Sequence, residues 1–102
     1  MKDYSAMSDE DINKLVAGHI SFADKVMVGT GQIDYCNNPA DAWPIIFRER
    51  ITLTPKVMGY EWDAISPVIL NDDIEHLHTD KNPIRAGMIV FLMMKDRESS
   101  HV

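Results

Sequence analysis

Apolar and polar positions are unevenly distributed along the chain, and the densest apolar stretch lies near its end. In Asn82-Pro83-Ile84-Arg85-Ala86-Gly87-Met88-Ile89-Val90-Phe91-Leu92-Met93-Met94-Lys95, apolar residues fall on almost every face of a helix rather than on one stripe. The start of that helix is marked twice. Asn82 can cap the first turn with its side-chain oxygen, and Pro83 sits where a missing N–H costs nothing. Ile89-Val90-Phe91 would also suit a strand, but the length, the Asn-Pro start and the Ala, Leu and Met content select helix. A helix apolar nearly all round must be covered on several sides, by its own sheet or by a second subunit. It is therefore expected at the centre of the fold.

Upstream, Ser8 followed by Asp9-Glu10-Asp11 and then Ile12, Leu15 and Val16 reads as a capped amphipathic helix with its acids in the first turn. Lys25-Val26-Met27-Val28, Gly29-Thr30-Gly31 and Gln32-Ile33-Asp34-Tyr35-Cys36 read as a hairpin with glycines at its tip. Asn38-Pro39 opens a second helix, which Pro44 should break by removing the N–H that would bond Ala40; a further short helix is then expected from Pro44. Ile51-Thr52-Leu53-Thr54 and Tyr60 to Ile65 have strand character, ending near Pro55 and Pro67. Val68-Ile69-Leu70 suggests one more short strand, and the polar segment Asn71 to Lys81 suggests a loop. Residues 1–7 and 96–102 are expected to fray. Asn38-Pro39-x-x-Ala42-x-x-Ile45-Ile46-Phe47 recurs as Asn82-Pro83-x-x-Ala86-x-x-Ile89-Val90-Phe91, with no matching pattern in between, so the echo reads as the same helix-start chemistry reached twice. The sum is one α+β domain over residues 1–102: a small, mainly antiparallel sheet packed with two or three helices, the apolar C-terminal helix central.

Composition narrows the partners. Of 102 residues, 45% are hydrophobic and 25% charged, ordinary globular usage. Sixteen acids against ten bases give a net charge of −6, which disfavours non-specific nucleic-acid binding. The lone Cys36 permits no intrachain disulfide, and the first residues lack the apolar core of a signal peptide. The run Ala86–Met94 is short for a bilayer span of roughly 20 residues. A cytoplasmic protein without membrane attachment is expected.

Several stretches resemble the phage NinX-like family, small proteins of unknown function carried by tailed phages and prophages. They are Asp34-Tyr35-Cys36, Pro39 with Asp41-Ala42-Trp43-Pro44-Ile45-Ile46, Glu49 with Ile51, Trp62-x-Ala64, and Asn82-Pro83-Ile84-Arg85-Ala86-Gly87-Met88, with a weaker echo at Ile12-Asn13-Lys14. Gly87 stands where the family usually has Ala. The resemblance implies a phage setting and brings no catalytic residues.

Candidate chemistry is thin. Gly29-x-Gly31 lacks the third glycine of a dinucleotide loop, no nucleophile elbow or paired-histidine metalloprotease motif occurs, and no cofactor is predicted. Cys36 has no basic neighbour in sequence and reads as a small core residue. The acidic stretch Asp72 to Asp80 carries His76 and His78, which would project the same way from an extended segment and could serve a metal. Arg85 lies in the first turn of the long helix, where a cation opposes the dipole. An acid such as Asp41 or Glu49, or a bound anion at the helix start, should offset it. With Trp43, Trp62 and Tyr35 as stacking surfaces and Asn82 beside it, Arg85 defines the candidate ligand site. The leading expectation is a non-enzymatic phage accessory protein that binds a small nucleotide-like or other anionic molecule, sequestering a host defence signal, and that forms a homo-oligomer. The alternatives are a protein-interaction module acting on a host or phage protein and a metal-dependent hydrolase.

Overall fold

The computed structural model describes residues 3–67 and 76–99. Four α-helices, α1 (Asp9–Gly18), α2 (Phe22–Gly29), α3 (Pro39–Glu49) and α4 (Pro83–Ser99), surround strands β1 (Thr52–Pro55), β2 (Trp62–Ile65) and β3 (Leu77–Asp80). The sheet is antiparallel in the order β1-β2-β3, with Leu53, Ala64 and His78 in register across it. An α+β fold is thus present, with one helix more than the upper expectation.

α4 is the central element. It packs on the sheet on one side and on α3 and α1 on others, and Ala86 through Leu92 are all buried. Phe91, Met88 and Val90 have no exposed surface. Each large side chain so buried stabilises the fold by roughly 2 kcal/mol before entropy is counted. At Gly87, an added Cβ would lie 3.2 Å from Ile46 Cδ1 of α3 and 3.5 Å from Leu53 Cδ2 of β1.

α1 forms as its sequence implies: Ser8 Oγ accepts from Asp11 N at 3.1 Å, and Ile12, Val16 and Ala17 face the core. The expected hairpin at residues 25–36 is instead helix α2 and its exit. Ser21 caps it by accepting from Asp24 N, so the first turn is fixed before the Val-Met-Val run begins. Gly31 does adopt positive φ (82°), but as the residue that ends a helix. Its N–H donates to Val28 O while Gln32 N–H donates to Met27 O, the paired closing bonds of a Schellman turn. Val26 and Met27 therefore belong to a helix, because a local cap and a local stop outweigh β-propensity.

Pro44 does not break α3, which runs unbroken from Pro39 to Glu49. The carbonyl that loses its partner is on Ala40, which is exposed and can be solvated there. The expected loop before α4 contains β3, a strand supported by pairing with β2 rather than by its own composition. Val68-Ile69-Leu70 and the acids Asp72, Asp73 and Glu75 lie outside the described residues. Residues 96–99, expected to fray, continue α4. At the other end Tyr4 is 5% exposed within a short 3-10 turn (Tyr4–Ala6), its hydroxyl donating to Asp96 of α4.

Candidate functional site

The N-termini of α1, α3 and α4 meet around a polar cluster with Arg85 in it. Asn82 caps α4 as its sequence implies, Oδ1 accepting from Ile84 N at 3.1 Å and from Arg85 N at 3.3 Å. Its Nδ2 donates to Cys36 O at 2.6 Å, which fixes the loop before α3 to the start of α4. The Arg85 side chain is 12% exposed and fully engaged. Nε donates to Asp80 Oδ2 at 3.1 Å, Nη1 donates to Asp9, and Nη2 donates to Met7 O at 2.8 Å and Ser5 O at 3.4 Å. Burial works against the guanidinium charge, but the two carboxylates outweigh it and hold its pKa above the ordinary arginine value. The cation that opposes the helix dipole is thus offset by Asp9 and Asp80, which come from the two segments that flank it in space.

Around this bond set sits a second layer. Asn13, 5% exposed, donates to Asp34 Oδ1 at 2.7 Å and accepts from Cys36 N at 3.0 Å. Asn37 bridges Asp9 and Asp34, and Asp41 Oδ2 accepts from Asp34 N at 2.9 Å. Tyr35 is 2% exposed and donates to Asp24 Oδ2 at 2.6 Å; burial, then that carboxylate, raises its pKa. Cys36 is fully buried, and desolvation, then Asp9, pushes its thiol up to about 12. Such a thiol is protonated at neutral pH and is a poor nucleophile.

The site residues inferred from sequence therefore separate. Arg85 and Asn82 meet, and Tyr35 lies in the adjoining loop with its face buried. Trp62 is half-buried in β2, opposite Asp80 in the strand register, so it shares a sheet face with one of the carboxylates that Arg85 engages. Trp43 stands on the outer flank of α3, 58% exposed, with its ring centroid 6.2 Å from that of Phe47, itself 72% exposed. His76 N–H donates to Ser66 Oγ at 3.1 Å. His78 Nε2 lies 3.9 Å from Asp80 Oδ2, beyond hydrogen-bond reach. Desolvation lowers the His78 pKa despite the Asp80 charge, so the ring is neutral at pH 7. Among the described residues, no group of three or more His, Cys, Asp or Glu side chains is arranged to hold a metal ion.

Beside the polar cluster, an open groove of about 410 Å³ runs between α1 and the end of α2, lined by Asp9, Glu10, Asn13, Gly31, Ile33 and Asp34 among others. Its charged lining is wholly acidic, the wrong sign for an anion.

Beyond Phe47 the helix closes on Arg50, at φ 57° and ψ 38°, the one positive-φ residue other than glycine among the described residues. Arg50 N–H donates to Phe47 O and Ile51 N–H to Ile46 O, the same two closing bonds that α2 makes with Gly31. For a side chain with a Cβ this conformation costs roughly 1–2 kcal/mol. Arg48 is exposed, whereas Glu49 turns inward to Arg48 Nε at 3.1 Å and Lys95 Nζ at 3.7 Å.

Sequence reasoning missed Asp9, Asp80, Asn13 and Phe47. Asn13 had a signal: it lies within the buried stripe Ile12-Asn13-Val16-Ala17, where a polar residue needs a partner. Asp9 had none, being 76 positions from Arg85.

No curated protein and no solved structure matches the chain. A family model described as Bacteriophage P22, NinX matches residues 3–95, nearly the whole sequence, and covers every segment that carries the resemblance. The chain belongs to that phage NinX family.

Proposed function

We propose that this phage protein is a non-enzymatic interaction module, acting in the bacterial cytoplasm by docking on another protein through the outer flank of α3. The single observation that carries this reading is the Trp43–Phe47 pair. Two large aromatic rings touch each other and leave most of their surface in water, with exposed Arg48 one position on. Exposed aromatic side chains beside arginine are the composition of interface hot spots. Among the described residues, the buried stripe of α3 is Ala42, Ile45 and Ile46, and Trp43 lies off it.

Capture of a small anionic or nucleotide-like molecule ranks second. Trp43 supports it as a stacking surface, and Trp62 lies on the sheet face that carries Asp80. Weighing against it, every nitrogen of the Arg85 guanidinium already donates within the protein. An incoming anion would have to displace two carboxylates.

Photo-crosslinking from the exposed Ala40 position of α3, one turn before Trp43, tests the docking reading in phage-infected cells. One protein should crosslink from position 40 and not from the exposed Lys14 position on α1, and Phe47→Ala should abolish the adduct. A ladder of unrelated proteins unaffected by Phe47→Ala overturns it. Sedimentation of the purified chain separates a second copy as the occupant: a dimer lost on Trp43→Ala would make the flank a self-association surface instead.

A further inference from the structure

Charge is segregated along this molecule. Residues 3–42 carry seven acids against two lysines, whereas residues 43–56 carry Arg48, Arg50 and Lys56 against Glu49 alone. Glu49 is neutralised internally by Arg48 and Lys95, and Lys56 reaches Asp63 at 3.5 Å. Arg50 is different. It is exposed, and among the described residues its guanidinium has no hydrogen-bond or ion-pair partner.

Its backbone makes that freedom informative. α2 and α3 end with the same pair of closing bonds, and α2 places glycine at the left-handed residue. α3 places arginine there, where glycine would be relaxed. A cation at a helix C-terminus gains from the dipole, but Arg48 already supplies one in the last turn. The dipole's preference is also smaller than the steric cost of the left-handed conformation. Backbone strain retained with no internal interaction to balance it points to an external use of the side chain. Arg50 follows Phe47 by three positions, at the end of the helix that carries the Trp43–Phe47 rings.

Resting on the docking reading above, we infer that the surface received by α3 is acidic: an apolar side chain covers the Trp43–Phe47 rings while a neighbouring carboxylate pairs with Arg50. An acidic protein segment fits better than single-stranded nucleic acid. The net charge of −6 repels a polyanion over most of the surface, whereas one carboxylate beside an apolar anchor meets only the local basic spot. Arginine suits the role because its planar fork binds a carboxylate through two parallel hydrogen bonds.

The experiment selects a random displayed-peptide library on the full chain and measures the recovered peptides by fluorescence anisotropy against four proteins: native, Trp43→Ala, Phe47→Ala and Arg50→Gly. Arg50→Gly should fold with a raised melting temperature, which separates loss of binding from loss of structure. The expected peptides place Asp or Glu beside an aromatic or long aliphatic residue. They should bind Arg50→Gly roughly tenfold more weakly at low salt, with the difference shrinking at high salt. Peptides that need Trp43 and Phe47 but ignore Arg50→Gly overturn the acidic-partner inference and leave the docking reading standing. If no recovered peptide needs Trp43 or Phe47, both fall. Labelled oligo-dT is titrated in parallel; tighter binding than any peptide, dependent on Trp43 and Arg50, overturns the inference in favour of nucleic acid.

Discussion

Two helices of this protein begin alike and end differently. α3 and α4 both open on Asn-Pro with the asparagine oxygen accepting from the first turn, and Ala42 and Ala86, Ile45 and Ile89, Ile46 and Val90 are buried pairwise. At the next position the correspondence fails. Phe91 has no exposed surface and Phe47 is 72% exposed. Nothing within either motif distinguishes the two rings. The neighbours do: α4 has the sheet, α1 and α3 around it, whereas α3 has α4 on one side. A helix at the edge of a small fold keeps one buried stripe, and an aromatic residue off that stripe becomes surface available to a partner.

The sharpest way to break this comparison is to truncate both rings. Phe91→Ala should cost about 3–5 kcal/mol, as a large core side chain replaced by a cavity does, and should leave this small domain barely folded. Phe47→Ala should change stability by no more than about 0.5 kcal/mol. Urea denaturation followed by circular dichroism reads both. Comparable losses would mean that α3 is covered in solution, by a second copy or by segments beyond the described residues.

Next in size is the polar end that the two helices share. Arg85→Met keeps the stem and removes the charge, so Asp9 Oδ1, Asp80 Oδ2 and the Met7 carbonyl lose the guanidinium donor. Arg85 is 12% exposed but its partner Asp9 is 42% exposed, so the loss should fall below the roughly 3–5 kcal/mol of breaking a fully buried ion pair. Hydrogen exchange adds a spatial test. Protection should fall first at Met7 and Ile12, whose amides donate to Tyr4 O and Ser8 O near the released segment. Unchanged protection there would mean that Arg85 does not hold residues 5–9. The outer end of α3 has no equivalent bond set, so Arg50→Gly should move stability the opposite way.

How much of this was legible follows from where each signal is stored. The centre of the fold was readable because Asn82-Pro83 and the run to Met94 are local and mutually consistent; the same holds for the Ser8 cap and for strands β1 and β2. α2 was misread because a left-handed glycine serves a hairpin tip and a helix exit equally, and Gly31 is the second. β3 was misread because Leu77-His78-Thr79-Asp80 becomes a strand through pairing with β2, a tertiary cause absent from its own composition. For the site, Arg85 was correctly identified as a cation needing an offset at a helix start. Its partners were unreadable, since Asp9 lies in α1 and Asp80 on a strand whose position depends on the sheet. Trp43 was legible as a large aromatic residue, and its exposure was not.

A smaller effect tests the sheet side of α4. His78 is neutral because burial lowers its pKa below the unfolded value near 6.5. Its contribution is complete above that value. As pH falls below about 6.5 the unfolded chain binds the proton first, and stability declines until the folded pKa is passed. Thermal melts between pH 7.5 and about 5 should show this slope, and His78→Gln should flatten it. An identical slope in the variant would assign the effect to another group.

The smallest expected change concerns the contact between the two helices themselves. Gly87→Ala adds a methyl group to the middle of α4, where glycine costs roughly 1 kcal/mol relative to alanine. That gain is opposed locally, because the new Cβ would sit 3.2 Å from Ile46 Cδ1 and 3.3 Å from Ile46 Cγ1. Ile46 is 2% exposed, so its end has little room to turn. Overpacking of this kind costs about 1–3 kcal/mol. The single variant should therefore range from neutral to destabilising by about 2 kcal/mol. In an Ile46→Val background, which removes the nearer atom and keeps Cγ1, Gly87→Ala should cost less than in the native protein. Chemical denaturation of the four proteins in that cycle should give a coupling of at least about 0.5 kcal/mol. Simple additivity would show that α3 yields to the added methyl, and that its hold on α4 is looser than the buried half of the comparison requires.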